Sequence, residues 1–85
     1  MEIIYTPRFL RLVKKLPTQL RPLIEERINM FTTDPFEPSL KTHKLVGELK
    51  GCWAFSIDHK HRIIFEFDGT RKAVFHSAGN HSIYD

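Results

Sequence analysis

Gly51 to Phe67, GCWAFSIDHKHRIIFEF, constrains the fold more than any other part of the sequence. Trp53, Phe55 and Ile57 alternate with Ala54, Ser56 and Asp58. After a His59-Lys60 turn, Ile63, Phe65 and Phe67 alternate with Arg62, Ile64 and Glu66. A period of two across a short polar loop predicts two antiparallel strands, each with one buried face. That register puts Ile63, Phe65 and Phe67 in the core and turns Arg62 and Glu66 to the opposite, open face. Arg62 then becomes a fixed cation on a rigid strand.

The remaining elements follow from local signals. Ile3-Ile4-Tyr5 reads as a short strand, and Thr6-Pro7 as the N-cap and first residue of a helix. Phe9, Leu12, Val13 and Leu16 continue it at helical spacing, with Arg8, Arg11, Lys14 and Lys15 on the other side, until Pro17 stops it. A second helix covers roughly 18–33, with Leu20, Leu23, Ile24, Ile28 and Phe31 as its apolar stripe. Pro22 allows a regular start at Arg21-Pro22 after a short turn. The segment from Asp34 to Pro38 is a loop, continued by a basic stretch from Lys41 to Lys44. Strand character begins near Leu45, resumes after Gly51, and returns from Ala73 to Ser77 beyond an Asp68-Gly69 turn. The expected order is β-α-α-β-β-β, an α+β domain over residues 1–85 with a helical hairpin on one face of a small, mainly antiparallel sheet.

The chain has 85 residues, so it is near the lower end of what folds alone. One cysteine, Cys52, excludes an intrachain disulfide and a cysteine-rich zinc site. Met1-Glu2 is followed by only a few apolar residues, and no run approaches the roughly 20 that a membrane span requires. A cytoplasmic protein without a signal peptide or membrane contact is expected. Thirteen Lys/Arg, a net charge of +3 and five histidines favour an anionic partner and acid–base chemistry, and together they point to RNA.

Cleavage of RNA without a metal or other cofactor needs a base for the 2′-hydroxyl, a cation for the crowded phosphate, and an acid for the departing 5′-oxygen. Histidine suits both proton roles, and the planar fork of arginine suits the phosphate. His43, Arg62 and His81 supply that set if the fold brings them together. Each also has an ordinary reading: a solvated histidine in a basic loop, an arginine paired with Glu66, a histidine close to a chain end. Lys41, Lys44, Lys50 and Lys60 form either a phosphate track or a solvated rim. His59 and His61 make an H-x-H pair with no acidic or cysteine cluster beside it, a poor basis for zinc. His76 reads as structural or as a neighbour of the site, and Trp53 as core.

Three stretches carry a resemblance: Leu45 to Trp53 (LVGELKGCW), Ile57 to Phe65 (IDHKHRIIF) and Gly79 to Ser82 (GNHS). They resemble the RelE/ParE superfamily of bacterial toxins, particularly the YoeB and YafQ branches of the RelE-type mRNA interferases. The resemblance spans nearly the whole chain and is most specific from His43 onward. It implies that Arg62 holds the scissile phosphate and that His81 is the general acid. His43, six residues before Leu49, falls where YafQ-like toxins have a catalytic histidine and YoeB-like toxins a glutamate. Lys60 and Ser56 stand where YafQ-like toxins have an acidic residue and a histidine. Ser82 replaces the tyrosine of YoeB-like toxins, with Tyr84 close enough to substitute. The resemblance also implies partners: a cognate antitoxin, messenger RNA in the ribosomal A site, 16S rRNA, and operator DNA through the antitoxin only. Two other readings stay open, a ParE-like inhibitor of DNA gyrase without nuclease activity and a non-catalytic binding module.

Overall fold

The computed structural model describes residues 1–80; the expected site residues His81 and Tyr84 lie outside the described residues. The elements are β1 (Glu2–Tyr5), α1 (Pro7–Val13), α2 (Arg21–Thr33), β2 (His43–Lys44), β3 (Trp53–Ser56), β4 (His61–Phe67) and β5 (Lys72–Asn80). The sheet order is β1-β5-β4-β3-β2, antiparallel except for the parallel β1–β5 pair. Both helices feed the core on one face of this mainly antiparallel sheet through Phe9, Ile24 and Phe31, the expected α+β arrangement, while Arg8 and Leu12 of α1 reach the margin of the other face.

Thr6 ties the first strand to the first helix. Its Oγ1 accepts from the Phe9 N–H at 3.1 Å and donates to the Phe75 carbonyl of β5 at 2.7 Å. One hydroxyl therefore caps α1 and fastens it to the sheet. The helix ends at Val13, four residues before Pro17. The next residues tighten into three-residue turns, with Lys15 N–H to Leu12 O at 3.0 Å and Leu16 N–H to Val13 O at 3.1 Å. Proline supplies the reason, since its ring disfavours helical backbone before it and clashes with the carbonyl four residues back. The second helix behaves as Pro22 dictates, with a 3-10 turn at Thr18–Leu20 and the α-helix from Arg21.

The core is aromatic and centres on Phe31. Its ring stacks on Phe55 at 4.8 Å and meets Phe65 and Phe75 edge-on at 4.9 and 5.4 Å. Phe9, Ile24, Ile57 and Ile63 are buried with them, and Trp53 and Phe67 pack at the margin. The register on β3 and β4 is the one the alternation required.

Two departures shape the other face. His43 and Lys44, expected in a loop, form a two-residue edge strand against Ala54 and Trp53. Two residues are too few to show alternation in a sequence, so only the pairing reveals the strand. Gly47 and Gly51, at φ of 75° and 98°, let the chain reverse between β2 and β3. The connection folds over the sheet so that Leu45 and Leu49 cover Ala54 and Ile64. The face opposite the helices is thus partly covered rather than fully open. The second departure is a β-bulge: Ile64 pairs with Ser77 but Phe65 pairs with Phe75, leaving His76 as the extra residue. The bulge shifts the alternation, so Ser77 joins His76 on the far face while Ala78 enters the main core.

Candidate functional site

On β4, Arg62 sits between Ser56 of β3 and Gly79 of β5. Both neighbours are small, so the guanidinium has room above the sheet. Its Nη1 donates to the carbonyls of Asp58 and His61, at 2.5 and 3.1 Å. The other guanidinium N–H groups have no hydrogen-bond partner among the described residues. The expected alternative, a pair with Glu66, does not form, because Glu66 binds His76 instead at 2.8 Å. Arg62 is therefore anchored at one end and available at the other, the arrangement that holds a fork in a fixed direction.

The carbonyls that anchor Arg62 belong to an ordered turn. Asp58 Oδ1 accepts from the N–H groups of Lys60 and His61 at 2.8 and 2.7 Å, and from His61 Nδ1 at 3.0 Å. Burial pushes the Asp58 carboxyl up, but the hydrogen bonds from Lys60 and His61 outweigh it and hold the group below its usual range. His61 is thus occupied in fixing the turn, and His59 is exposed. Among the described residues no group of three His, Cys, Asp or Glu could hold a metal ion.

His43 lies on the same face as Arg62. It pairs with Ala54, which pairs with Ile64, two residues along β4 from Arg62. Two strand spacings and two residues place the two backbones about 12 Å apart, a gap that two long side chains and a bound phosphate can span. His43 Nδ1 lies 2.9 Å from the Lys41 carbonyl oxygen. A carbonyl only accepts, so this bond requires the proton on Nδ1, and the lone pair of the neutral ring then resides on Nε2. Lys41 has a φ of 54°, uncommon for a residue with a side chain, and this bend presents its carbonyl to the histidine.

The lysines divide. Lys41 and Lys60 are exposed beside His43 and Arg62 respectively. Lys44 points the other way, because it pairs with Trp53 and its Nζ lies 5.5 Å from the Trp53 ring centroid on the helix side. Lys50 lines a separate edge groove with Lys44, Val46 and Trp53. A single track through all four lysines is not what the fold makes.

The far face also holds a cleft of about 420 Å³ between α1, the 47–49 turn and strands β4 and β5. The Glu66–His76 pair lies in it, as does Cys52. Burial and the neighbouring Glu66 carboxylate push the Cys52 thiol up, which keeps it a poor nucleophile. Glu66 was legible only as an outward residue of β4. Its pairing with His76 depends on the bulge, which no local pattern announces.

No protein-family model matches the sequence, and no curated protein matches it. Solved structures do match. A YoeB/ParE toxin from Agrobacterium tumefaciens superposes with a TM-score of 0.74 at 19% identity, covering 95% of this chain and 99% of that one. YafQ from E. coli strain BL21(DE3) gives 0.76 at 18% identity, with 95% and 93% covered. The YoeB–YefM complex from Staphylococcus aureus gives 0.72 at 20% identity, with 95% and 97% covered. Placed beside the sheet order and helix packing described above, these superpositions give the chain the RelE/ParE toxin–antitoxin fold, closely matching YafQ-, YoeB- and RelE-type toxins.

Proposed function

We propose that this chain is the toxin of a toxin–antitoxin pair and cleaves messenger RNA on the ribosome without a metal. The observation that carries the reading is the shared face of His43 and Arg62, with an anchored guanidinium and a histidine whose Nδ1 is already committed. His43 Nε2 takes the proton from the 2′-hydroxyl, and the freed oxygen attacks the adjacent phosphorus. The remaining N–H groups of Arg62 donate to the non-bridging oxygens as charge builds on them. His81, by resemblance, returns a proton to the departing 5′-oxygen. The products are a 2′,3′-cyclic phosphate and a 5′-hydroxyl. Lys41 and Lys60, on either side, add positive charge along the RNA backbone, while Tyr84 is the resemblance's candidate for a further substrate contact.

The partners follow from the same reading: the ribosomal A site with its 16S rRNA, and a cognate antitoxin that holds the enzyme inactive and carries any operator binding. Complexes such as YoeB–YefM support the antitoxin assignment. Among the described residues no helix is long and apolar enough to cross a membrane, which fits a cytoplasmic site of action. Induction of the wild-type chain in a sensitive host tests the proposal. Growth arrest with intact gyrase supercoiling is expected. Arrest accompanied by blocked supercoiling and uncut messenger RNA would replace it with the gyrase-inhibitor reading.

A further inference from the structure

Glu66 presents a charge problem. It lies on the face that carries Arg62 and His43, in a domain of net charge +3, and among the described residues it is the only acidic one lining the cleft. A carboxylate there repels a phosphate backbone. It does accept from any entering group that carries hydrogen-bond donors. Its Oε1 takes His76 Nε2 at 2.8 Å, and its Oε2 has no partner among the described residues. A carboxylate offers about four lone-pair positions, so the His76 bond leaves acceptor capacity facing the cleft.

The cleft suits one flat group. Leu12 of α1 and Leu49 of the 47–49 turn line it with Ile64, and Arg8 stands at its α1 side. Its volume of about 420 Å³ is within the range of small-molecule sites. It borders the candidate site on the same face, because Ile64 and Ser77, which line it, occupy the same register row as His43 and Ala54. Four residues of β4 separate Glu66 from Arg62, about 13 Å along the strand, a distance a stacked single strand covers in about four nucleotides and an extended one in fewer.

We infer that this cleft is a nucleobase subsite that reads guanine through Glu66, a few nucleotides from the phosphate held at Arg62. The inference rests on the nuclease reading above and adds a specificity to it. Guanine alone sets two donors, N1–H and the 2-amino group, side by side on its Watson–Crick edge. Adenine and cytosine place an acceptor beside their amino group, against the carboxylate, and uracil offers a single donor. The apolar side chains take the base faces, and Arg8 takes a phosphate of the same strand.

Two measurements test it. In a translation reaction, the guanine-to-adenine ratio at each position flanking the cut is compared for wild type and Glu66→Gln. Wild type is expected to favour guanine at one position, and Glu66→Gln to lower that ratio about tenfold, the discrimination a two-bond base contact supplies. The ratio is internal to each variant, so a change in overall rate does not affect it. An unchanged ratio overturns the inference while leaving the nuclease reading standing. Separately, 5′-GMP and 5′-AMP are titrated into the purified wild-type protein and followed by amide NMR. Shifts at Glu66 and Ser77 with GMP alone support the subsite, even for a chain that cuts nothing and so refutes the nuclease reading. Equal shifts, or none, assign the cleft to a different occupant and overturn it.

Discussion

Removal of the Phe31 ring tests whether α2 is held to the sheet as described. Phe31 is fully buried, with ring centroids of Phe55, Phe65, Phe75 and Phe67 at 4.8, 4.9, 5.4 and 6.4 Å. Phe31→Ala leaves a cavity that the rigid sheet cannot fill, at a cost of about 4 kcal/mol. An 85-residue domain has only about 4–13 kcal/mol in total, so this variant is expected to be largely unfolded at growth temperature. Phe31→Leu is the more informative change. It keeps most of the apolar volume and loses the ring geometry, about 1–2 kcal/mol, which lowers Tm by roughly 5–15 °C in a domain this small. Phe36 is the control. Its ring touches Trp53 and Phe67 at 5.6 and 5.9 Å but is 55% exposed, so Phe36→Ala should cost less than about 1 kcal/mol. Circular dichroism melts of the three variants, with a urea titration, provide the comparison. Equal shifts for Phe31→Leu and Phe36→Ala would refute the placement of Phe31 at the centre of the core.

Thr6→Val keeps the shape of the side chain but loses both the α1 cap and the bond to Phe75. A loss of about 1–2 kcal/mol in urea unfolding is expected, and a neutral result would contradict the dual role of that hydroxyl. Asp58 has a carboxyl held below its usual range in the folded chain, so its contribution is present above the unfolded value near 3.8 and is lost as pH falls through the lower folded value. Asp58→Asn should flatten the acid limb of a stability–pH profile in that window, and a superimposable limb would show that the turn does not hold the carboxylate.

The alternation from Trp53 to Phe67 was strong enough to fix the sheet's buried side, because a one-residue slip would exchange every core ring for a polar residue. Thr6-Pro7 and Pro22 likewise located helix starts through stereochemistry that acts within one turn. Long-range pairing was not legible. The strand at His43–Lys44 exists only because β3 offers an edge, and the cover of Leu45 and Leu49 over Ile64 depends on that strand. The bulge at His76 is of the same kind, a one-residue offset between distant strands that rearranged the far face. Arg62 could be placed from its register alone. Its partners could not, since they are backbone carbonyls of a turn organised by Asp58. The lysines show the limit of closeness in sequence: Lys44 is a near neighbour of Lys41 in the chain, and strand parity sets it on the other face above Trp53.

Mapping of messenger RNA 5′ ends in a reconstituted translation reaction tests the central claim most directly. Wild-type protein should generate new 5′-hydroxyl ends in translated messages. Arg62→Ala should reduce them at least about 100-fold, the loss expected when a donor to transition-state charge is removed. Arg62→Lys, which keeps the charge without the fork, should fall between the two. Folding of each variant is checked by its melt, since Arg62 also holds the Asp58 and His61 carbonyls. Wild type without cleavage, or a folded Arg62→Ala that cuts at the wild-type rate, would contradict the account.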